Sequence, residues 1–212
     1  MTETYPYLAI EGNIGSGKTS LSKLLSERFG RELVLEEFEE NPYLQKFYDD
    51  PERFAFQLEL NFLADRYRQF KDRVPQPSLF ENHFISDYTI DKCLIFAQSN
   101  LVEEEYMMYR KIHGILTKDL PRPDLTLYLY MPLERLKRNI AKRGRPYEED
   151  ITEEYLRSID LSYNRFFMEH PNQKVVVLEL QEADFVNEPK TLDQIHEICL
   201  EKHPIGIRRI AL

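Results

Sequence analysis

The chain has 212 residues, 42% hydrophobic and 31% charged, which suits one folded unit over 1–212 and leaves little room for two. A net charge of −9 offers no basic footprint for a nucleic-acid backbone, so nucleic acid is not an expected partner. No apolar run reaches the ~18 residues of a membrane span, the first residues lack a signal-peptide pattern, and Cys93 and Cys199 have no metal-ligand spacing; a reduced cytoplasmic protein without a membrane partner is expected.

Apolar runs and helical periodicity alternate along the chain. Residues 5–11 read as a buried strand, 21–29 as the amphipathic part of a helix and 33–35 as a short strand. A long helix follows over 51–73, broken by the turn Pro75-Gln76-Pro77, and 79–85 reads as a third strand. Residues 88–119 are helical by pattern, with Glu103-Glu104-Glu105 suited to a helix N-terminus. Residues 125–131 form a strand, 133–143 a helix, about 152–168 another, 174–180 the last core strand, and a helix near 192–200 closes the chain. This alternation implies an α/β fold, a parallel sheet with helices on both faces.

The first strand runs into Gly12-Asn13-Ile14-Gly15-Ser16-Gly17-Lys18-Thr19, which fills G-x-x-x-x-G-K-[ST] between strand and helix. Glycines let successive N–H groups curl around phosphates, and the helix N-terminus adds its dipole. Lys18 can reach the β- and γ-phosphates of a bound triphosphate, and the Thr19 hydroxyl can join the Mg²⁺ shell. Such a motif specifies triphosphate binding and leaves open whether the protein is a motor, a switch or a kinase.

Ligands of parallel α/β sheets sit beyond the carboxyl ends of the strands. Strand two ends in Glu36-Glu37-Phe38-Glu39-Glu40, either a solvated acidic turn or, for Glu36, a catalytic carboxylate on the P-loop's rim. Strand three ends in Ser86-Asp87-Tyr88, where Asp87 serves Mg²⁺ or an acceptor hydroxyl, or where Ser86 or Asp87 caps a helix. Six cations, Arg135, Lys137, Arg138, Lys142, Arg143 and Arg145, fall within eleven residues and end in a loop at Gly144. They read as an arginine-rich lid over about 139–150 or as a solvated basic helix end.

With these elements in order, the chain resembles the deoxynucleoside kinase family, and in particular its bacterial deoxyadenosine and deoxyguanosine kinase branch. The resemblance runs from Tyr7 to about Phe185. It is carried by the P-loop, by residues 36–48, by Ser86-Asp87-Tyr88 and by Arg143-Gly144-Arg145-Pro146-Tyr147-Glu148. It implies a deoxynucleoside 5′-kinase of nucleotide salvage, using ATP and Mg²⁺, and commonly a homodimer. Glu36 then falls at the acid that takes the 5′-hydroxyl proton, although Glu37 stands where the family has proline. Tyr48 and Glu148 fall at positions that bind the sugar 3′-hydroxyl. Glu59 and Arg66 match the nucleobase readers, with Gln57 a competing register. Arg143 and Arg145 match the lid arginines, and Asp184-Phe185 the loop against the adenine of ATP. Two departures stand out. Ser86-Asp87-Tyr88 lacks the family's arginine, so its orienting role must come from elsewhere, and Asn139 replaces an early lid arginine.

An ionised Glu59 accepts hydrogen bonds and cannot donate, which favours a base edge rich in donors and hence a purine, with cytosine still open. Two alternatives remain at this stage. A nucleoside monophosphate kinase of the thymidylate kinase type shares the P-loop and lid, but the carboxylates of 36–40 repel a dianionic acceptor. A nucleotide-binding regulatory module is the other, although no Asn-Lys-x-Asp guanine reader occurs.

Overall fold

The computed structural model describes residues 5–37, 41–73 and 83–212. The expected Pro75-Gln76-Pro77 turn, the start of the strand expected at 79–85, and Glu39 and Glu40 lie outside them. Six parallel strands form one sheet in the order β2-β3-β1-β4-β5-β6. They are β1 (Tyr7–Gly12), β2 (Glu32–Val34), β3 (Phe84–Ser86), β4 (Leu125–Tyr130), β5 (Lys174–Glu179) and β6 (Gly206–Ala211).

The helices are α1 (Lys18–Phe29), α2 (Leu44–Asp49), α3 (Pro51–Arg73), α4 (Lys92–Asn100), α5 (Glu103–Thr117), α6 (Leu133–Arg143), α7 (Glu153–Glu169) and α8 (Pro189–Leu200). Central strands are buried on both faces, which is why they read as continuous apolar runs. Leu8, Ile10, Leu127, Leu129, Val176 and Leu178 pack on one face with Leu21 and Leu25 of α1, Leu136 of α6 and Ile195 of α8. The alternate residues face the other way. Tyr7 and Ala9 meet Leu63 and Phe70 of α3, and Tyr128, Val175 and Val177 meet Ile159 and Tyr163 of α7.

Three features differ from the sequence expectation. The helical stretch 88–119 is two helices that begin only at Lys92, because Leu101 and Val102 are extended and break the ladder. The acidic turn 103–105 opens α5 as expected. The strand at 174–180 is not the last, since β6 adds in parallel to β5 as an edge strand. Its exposed Arg208 and Arg209 deny it the apolar run that marks the others. The short helix α2 was also missed; Leu44, Phe47 and Tyr48 do fall at helical spacing, but over only six residues, too short a window for the period to stand out.

The chain leaves β1 for β2 and β3 on one side of the sheet and then crosses to β4, β5 and β6 on the other, so the switch point lies at β1, between β3 and β4. The crevice at such a point is where the fold places ligands.

Candidate active site

A cavity of about 660 Å³ opens at the carboxyl ends of the strands. Gly15, Gly17, Lys18 and Thr19 follow β1, Glu36 follows β2, Asp87 follows β3, Met131 follows β4 and Phe185 lies beyond β5, and all line it.

The P-loop end is built by backbone conformation. Gly15 and Gly17 have φ of 81° and 86°. A Cβ on Gly15 would meet the Leu136 carbonyl of α6 at 2.8 Å, and one on Gly17 would meet Phe185 Cζ at 3.0 Å. Glycine is thus required both for the left-handed turn and for the close packing of lid helix and Phe185. Lys18 Nζ folds back onto the carbonyls of Gly12 and Asn13, at 2.9 and 2.8 Å. Burial brings its pKa down to about 8, helped by the charge of Lys92 and opposed by Glu11, Glu36 and Asp87.

Not every P-loop residue faces the cavity. Asn13 donates to the Leu156 carbonyl of α7 and accepts from the Ile14 N–H, pinning the loop from behind. Gly12 and Ser16 lie among the loop residues outside the lining, and the buried Ser16 hydroxyl has no hydrogen-bond partner.

Thr19 Oγ1 donates to Asp87 Oδ2 at 2.6 Å, while Asp87 Oδ1 accepts from the Glu36 N–H at 2.8 Å. Asp87 therefore ties α1 to the end of β2. Neither Ser86 nor Asp87 caps a helix; α4 starts five residues after Asp87, and Ser86 Oγ donates to the Tyr88 carbonyl. Burial raises the Asp87 pKa, with the Thr19 hydroxyl opposing.

Glu36 is no solvated turn residue, for its side chain is only 9% exposed. Arg66 Nε and Nη2 donate to Oε1 at 2.8 and 2.5 Å, and Lys92 Nζ reaches Oε2 at 2.5 Å. Burial alone would raise its pKa, but the charges of Lys92 and Arg66 outweigh that and hold it at about 2. Glu37, by contrast, is exposed and pairs with Arg73.

Arg66 lines the cavity and is held from several sides. Its fork is committed to Glu36, its Nη1 donates to Cys93 Sγ at 3.1 Å, and its guanidinium lies 4.6 Å from the Phe62 ring centroid. Glu59, two turns away on the same face of α3, is buried in the cavity wall, whereas Gln57 is exposed and off the lining. Asn100 Nδ2 donates to Glu59 Oε1 at 2.6 Å, and Oε2 is buried without a partner. Burial raises its pKa to about 7, with Arg66 and Asn100 opposing. Burial therefore works against the ionised form on which the sequence reading of this residue relies.

At the far wall, Tyr48 stacks on Tyr147 with centroids 6.2 Å apart. Glu148 is buried and accepts from Arg143 Nε at 2.9 Å and from Arg145 Nη1 at 3.4 Å. Glu148 is also close enough to weigh on the Tyr48 hydroxyl, whose pKa burial raises.

The six-cation run divides instead of acting as one clamp. Arg135 donates to the carbonyls of Leu180, Gln181 and Ala183 at 2.5 to 2.8 Å, pinning the loop that carries Phe185. Lys137 pairs with Glu153 in solvent, and Arg138 is exposed. Only Arg135, Lys142, Arg143 and Arg145 of the run line the cavity. Asn139 Nδ2 donates to the Gly15 carbonyl at 2.8 Å, so it braces the P-loop. The Asp184 carboxylate is spent on its own turn, accepting from Val186 and Asn187, while Phe185 faces the cavity.

Lys92, Asn100, Phe96 and Tyr155 line the cavity and were not foreseen. Lys92 had one signal: a lone cation opening the apolar stretch Cys93-Leu94-Ile95-Phe96-Ala97.

A triphosphate cradle and a buried, ionised carboxylate share one enclosed volume, so a small acceptor can meet a phosphoryl donor away from bulk water. That is the chemistry of a P-loop kinase. A family model described as "Deoxynucleoside kinase" matches residues 8–203. Deoxyguanosine kinase of Bacillus subtilis (strain 168) is 41% identical, covering 85% of this chain and 83% of its own. Deoxyadenosine/deoxycytidine kinase of the same organism is 30% identical, over 89% and 88%. The solved structure of deoxyadenosine kinase from M. mycoides with bound dCTP superposes with a TM-score of 0.77 at 25% identity, covering 91% of this chain and 97% of that one. The chain belongs to the deoxynucleoside kinase family and is an ATP-dependent phosphotransferase acting on a deoxynucleoside. The monophosphate-kinase and regulatory alternatives fall away with that membership.

Proposed function

We propose that the protein transfers the γ-phosphoryl group of ATP to the 5′-hydroxyl of a purine deoxynucleoside, in cytoplasmic nucleotide salvage. Lys18 leaves its loop carbonyls for the β- and γ-phosphates, and Phe185 packs beside the adenine of ATP. Glu36 accepts the 5′-hydroxyl proton, and Tyr48 and Glu148 hold the 3′-hydroxyl. Arg143 and Arg145, in a lid of about residues 139–150, gather phosphate charge.

Mg²⁺ fits beside Thr19 and Asp87, whose oxygens meet at 2.6 Å at the mouth of the P-loop. These are hard donors, and Mg²⁺ suits one or two such side chains plus phosphates and water. When bound, it neutralises phosphate charge.

The observation that supports a purine is the unpartnered Glu59 Oε2, buried in the cavity wall and aimed by Asn100. Ionised, it accepts from the N6 amine of adenine or from N1–H and N2 of guanine; protonated, it donates to a ring nitrogen or carbonyl. Thymine offers an ionised Glu59 one donor, N3–H, flanked by two carbonyl acceptors, and so suits it less well. The names of the relatives agree, in that deoxyguanosine and deoxyadenosine recur among them.

Two copies are expected to pair through α5 and α7, both packed on α4. Met107, Met108 and Ile115 of α5 and Leu161 and Met168 of α7 are each at least half exposed.

A coupled ATP assay with Mg²⁺ against the four deoxynucleosides and deoxythymidine monophosphate tests the substrate. Purine-dependent ADP release supports the proposal, and turnover on pyrimidine nucleosides alone overturns the base assignment. Sedimentation of Leu161→Arg tests the dimer, which should dissociate.

A further inference from the structure

Glu36 carries two cations, and they are held very differently. Arg66 is fixed by two bonds to Oε1, one to Cys93 Sγ, and the Phe62 ring beneath it. Lys92 Nζ makes a single hydrogen bond among the described residues, to Oε2, with the Phe96 ring centroid 5.4 Å away. An ammonium has three N–H donors, so Lys92 keeps donors for a further acceptor, whereas the guanidinium of Arg66 is spent on Glu36 and Cys93. The charge of Lys92 also reaches the buried Glu11, which accepts from Thr89 and Tyr163, and Asp87, which accepts from Thr19 and the Glu36 N–H, but neither acid takes a hydrogen bond from it.

The position of Lys92 indicates what uses it. Its ammonium lines the cavity and is close enough to Lys18 to weigh on that side chain's charge. Both lysines line the one cavity, Lys92 beside Glu36 and Lys18 in the P-loop, so a phosphoryl group passing from donor to acceptor has an ammonium on each side. The turn Ser86-Asp87-Tyr88 on the same rim brings no cation itself.

We propose that Lys92 is a catalytic residue of the phosphoryl transfer: it holds Glu36 in the resting enzyme and swings to the transferring phosphoryl group when both substrates are bound. In that step the 5′-oxygen forms its bond to the γ-phosphorus. The bond from that phosphorus to the β,γ-bridging oxygen breaks, its electron pair leaving on ADP. The hydroxyl proton passes to Glu36, and Lys92 keeps its three protons, donating hydrogen bonds to the equatorial oxygens. A compact ammonium on a flexible stem can make that move, where the stapled guanidinium of Arg66 cannot. Lys92 rests on the reading of Glu36 as the base only for its starting position.

The test is steady-state kinetics of Lys92→Ala, Lys92→Gln and Lys92→Arg, each alone and combined with Glu36→Gln, alongside equilibrium binding of MgATP. Loss of one preorganised cation is expected to lower kcat by about 10²–10³-fold, with the deoxynucleoside KM and the ATP Kd within about threefold. Lys92→Arg should recover at least about tenfold of that loss. In the Glu36→Gln background, Lys92→Ala should still lower kcat by at least about tenfold, because its target is the phosphoryl group. If the Lys92 effect vanishes in that background, the lysine only tunes Glu36 and the proposal is wrong. A kcat within about threefold of wild type for Lys92→Gln overturns it equally. Should Lys92→Ala fail to fold, Lys92→Gln and Lys92→Arg carry the same comparison. A Glu36→Gln enzyme with wild-type kcat would remove the base reading while leaving the outcome at Lys92 legible.

Discussion

The two ends of the cavity are made in different ways. The donor end is contiguous: one strand, one loop and one helix start supply the cradle, and its shape follows from glycine φ angles at Gly15 and Gly17. The acceptor end is assembled from the end of β2, the middle of α3, the first and last turns of α4 and the 3₁₀ turn Pro146–Glu148. Its working parts are buried charges that constrain one another: Glu36 with Arg66 and Lys92, Glu59 with Asn100, and Glu148 with Arg143 and Arg145. A backbone cradle serves any triphosphate, whereas a web of side chains can discriminate, and a change to one member reaches the others.

The comparison is broken most severely at Lys18. Lys18→Ala should lower kcat by about 10³-fold or more while circular dichroism and the melting temperature stay near wild type, because the loop conformation belongs to the glycines. Unchanged turnover would rule out the phosphate role. On the acceptor side, Glu36→Gln should cost about 10²–10³-fold in kcat and leave MgATP affinity within about threefold. A larger loss from Glu40→Gln would move the base away from Glu36.

Arg66→Met sharpens the contrast, since it leaves both Cys93 and a buried carboxylate short of a partner. It should lower stability by about 3 kcal/mol in urea titration as well as activity, a double effect not expected of Lys18→Ala.

Glu59 gives the pH signature. Its pKa is raised to about 7, so between the ordinary carboxylate range and pH 7 the folded chain binds more protons than the unfolded one. Stability contributed by this group is then lost as pH rises toward 7. Glu59→Gln should therefore stabilise the substrate-free protein at pH 8 by a few kcal/mol and hardly at pH 4, read from melting at both. The same variant should reorder the preference among bases. Smallest of all, Arg135→Met should raise the KM for ATP by about three- to tenfold with little change in kcat, because it frees the Phe185 loop.

Strand and helix order, the parallel sheet, the P-loop and the rim positions of Glu36 and Asp87 were legible in the sequence. Each is written either in a local period or in a contiguous motif whose backbone conformation depends on its own residues. The bounds of α3 and α6 follow from the same logic, through Pro51 at one start and Gly144 at one end. What only the tertiary structure decided lies in through-space electrostatics and in edges. Lys92 on Glu36, the commitment of Arg66 to that acid, the burial of Glu59 against Asn100 and the division of the basic run between loop, solvent and cavity all depend on which charges meet away from water. Charge pairing and desolvation fall off over a few ångströms in space, and residues 36, 66 and 92 become neighbours only once β2, α3 and α4 have packed. The sixth strand escaped for a related reason: an exposed edge carries no apolar run of its own, and β5 beside it supplies the template that makes it a strand.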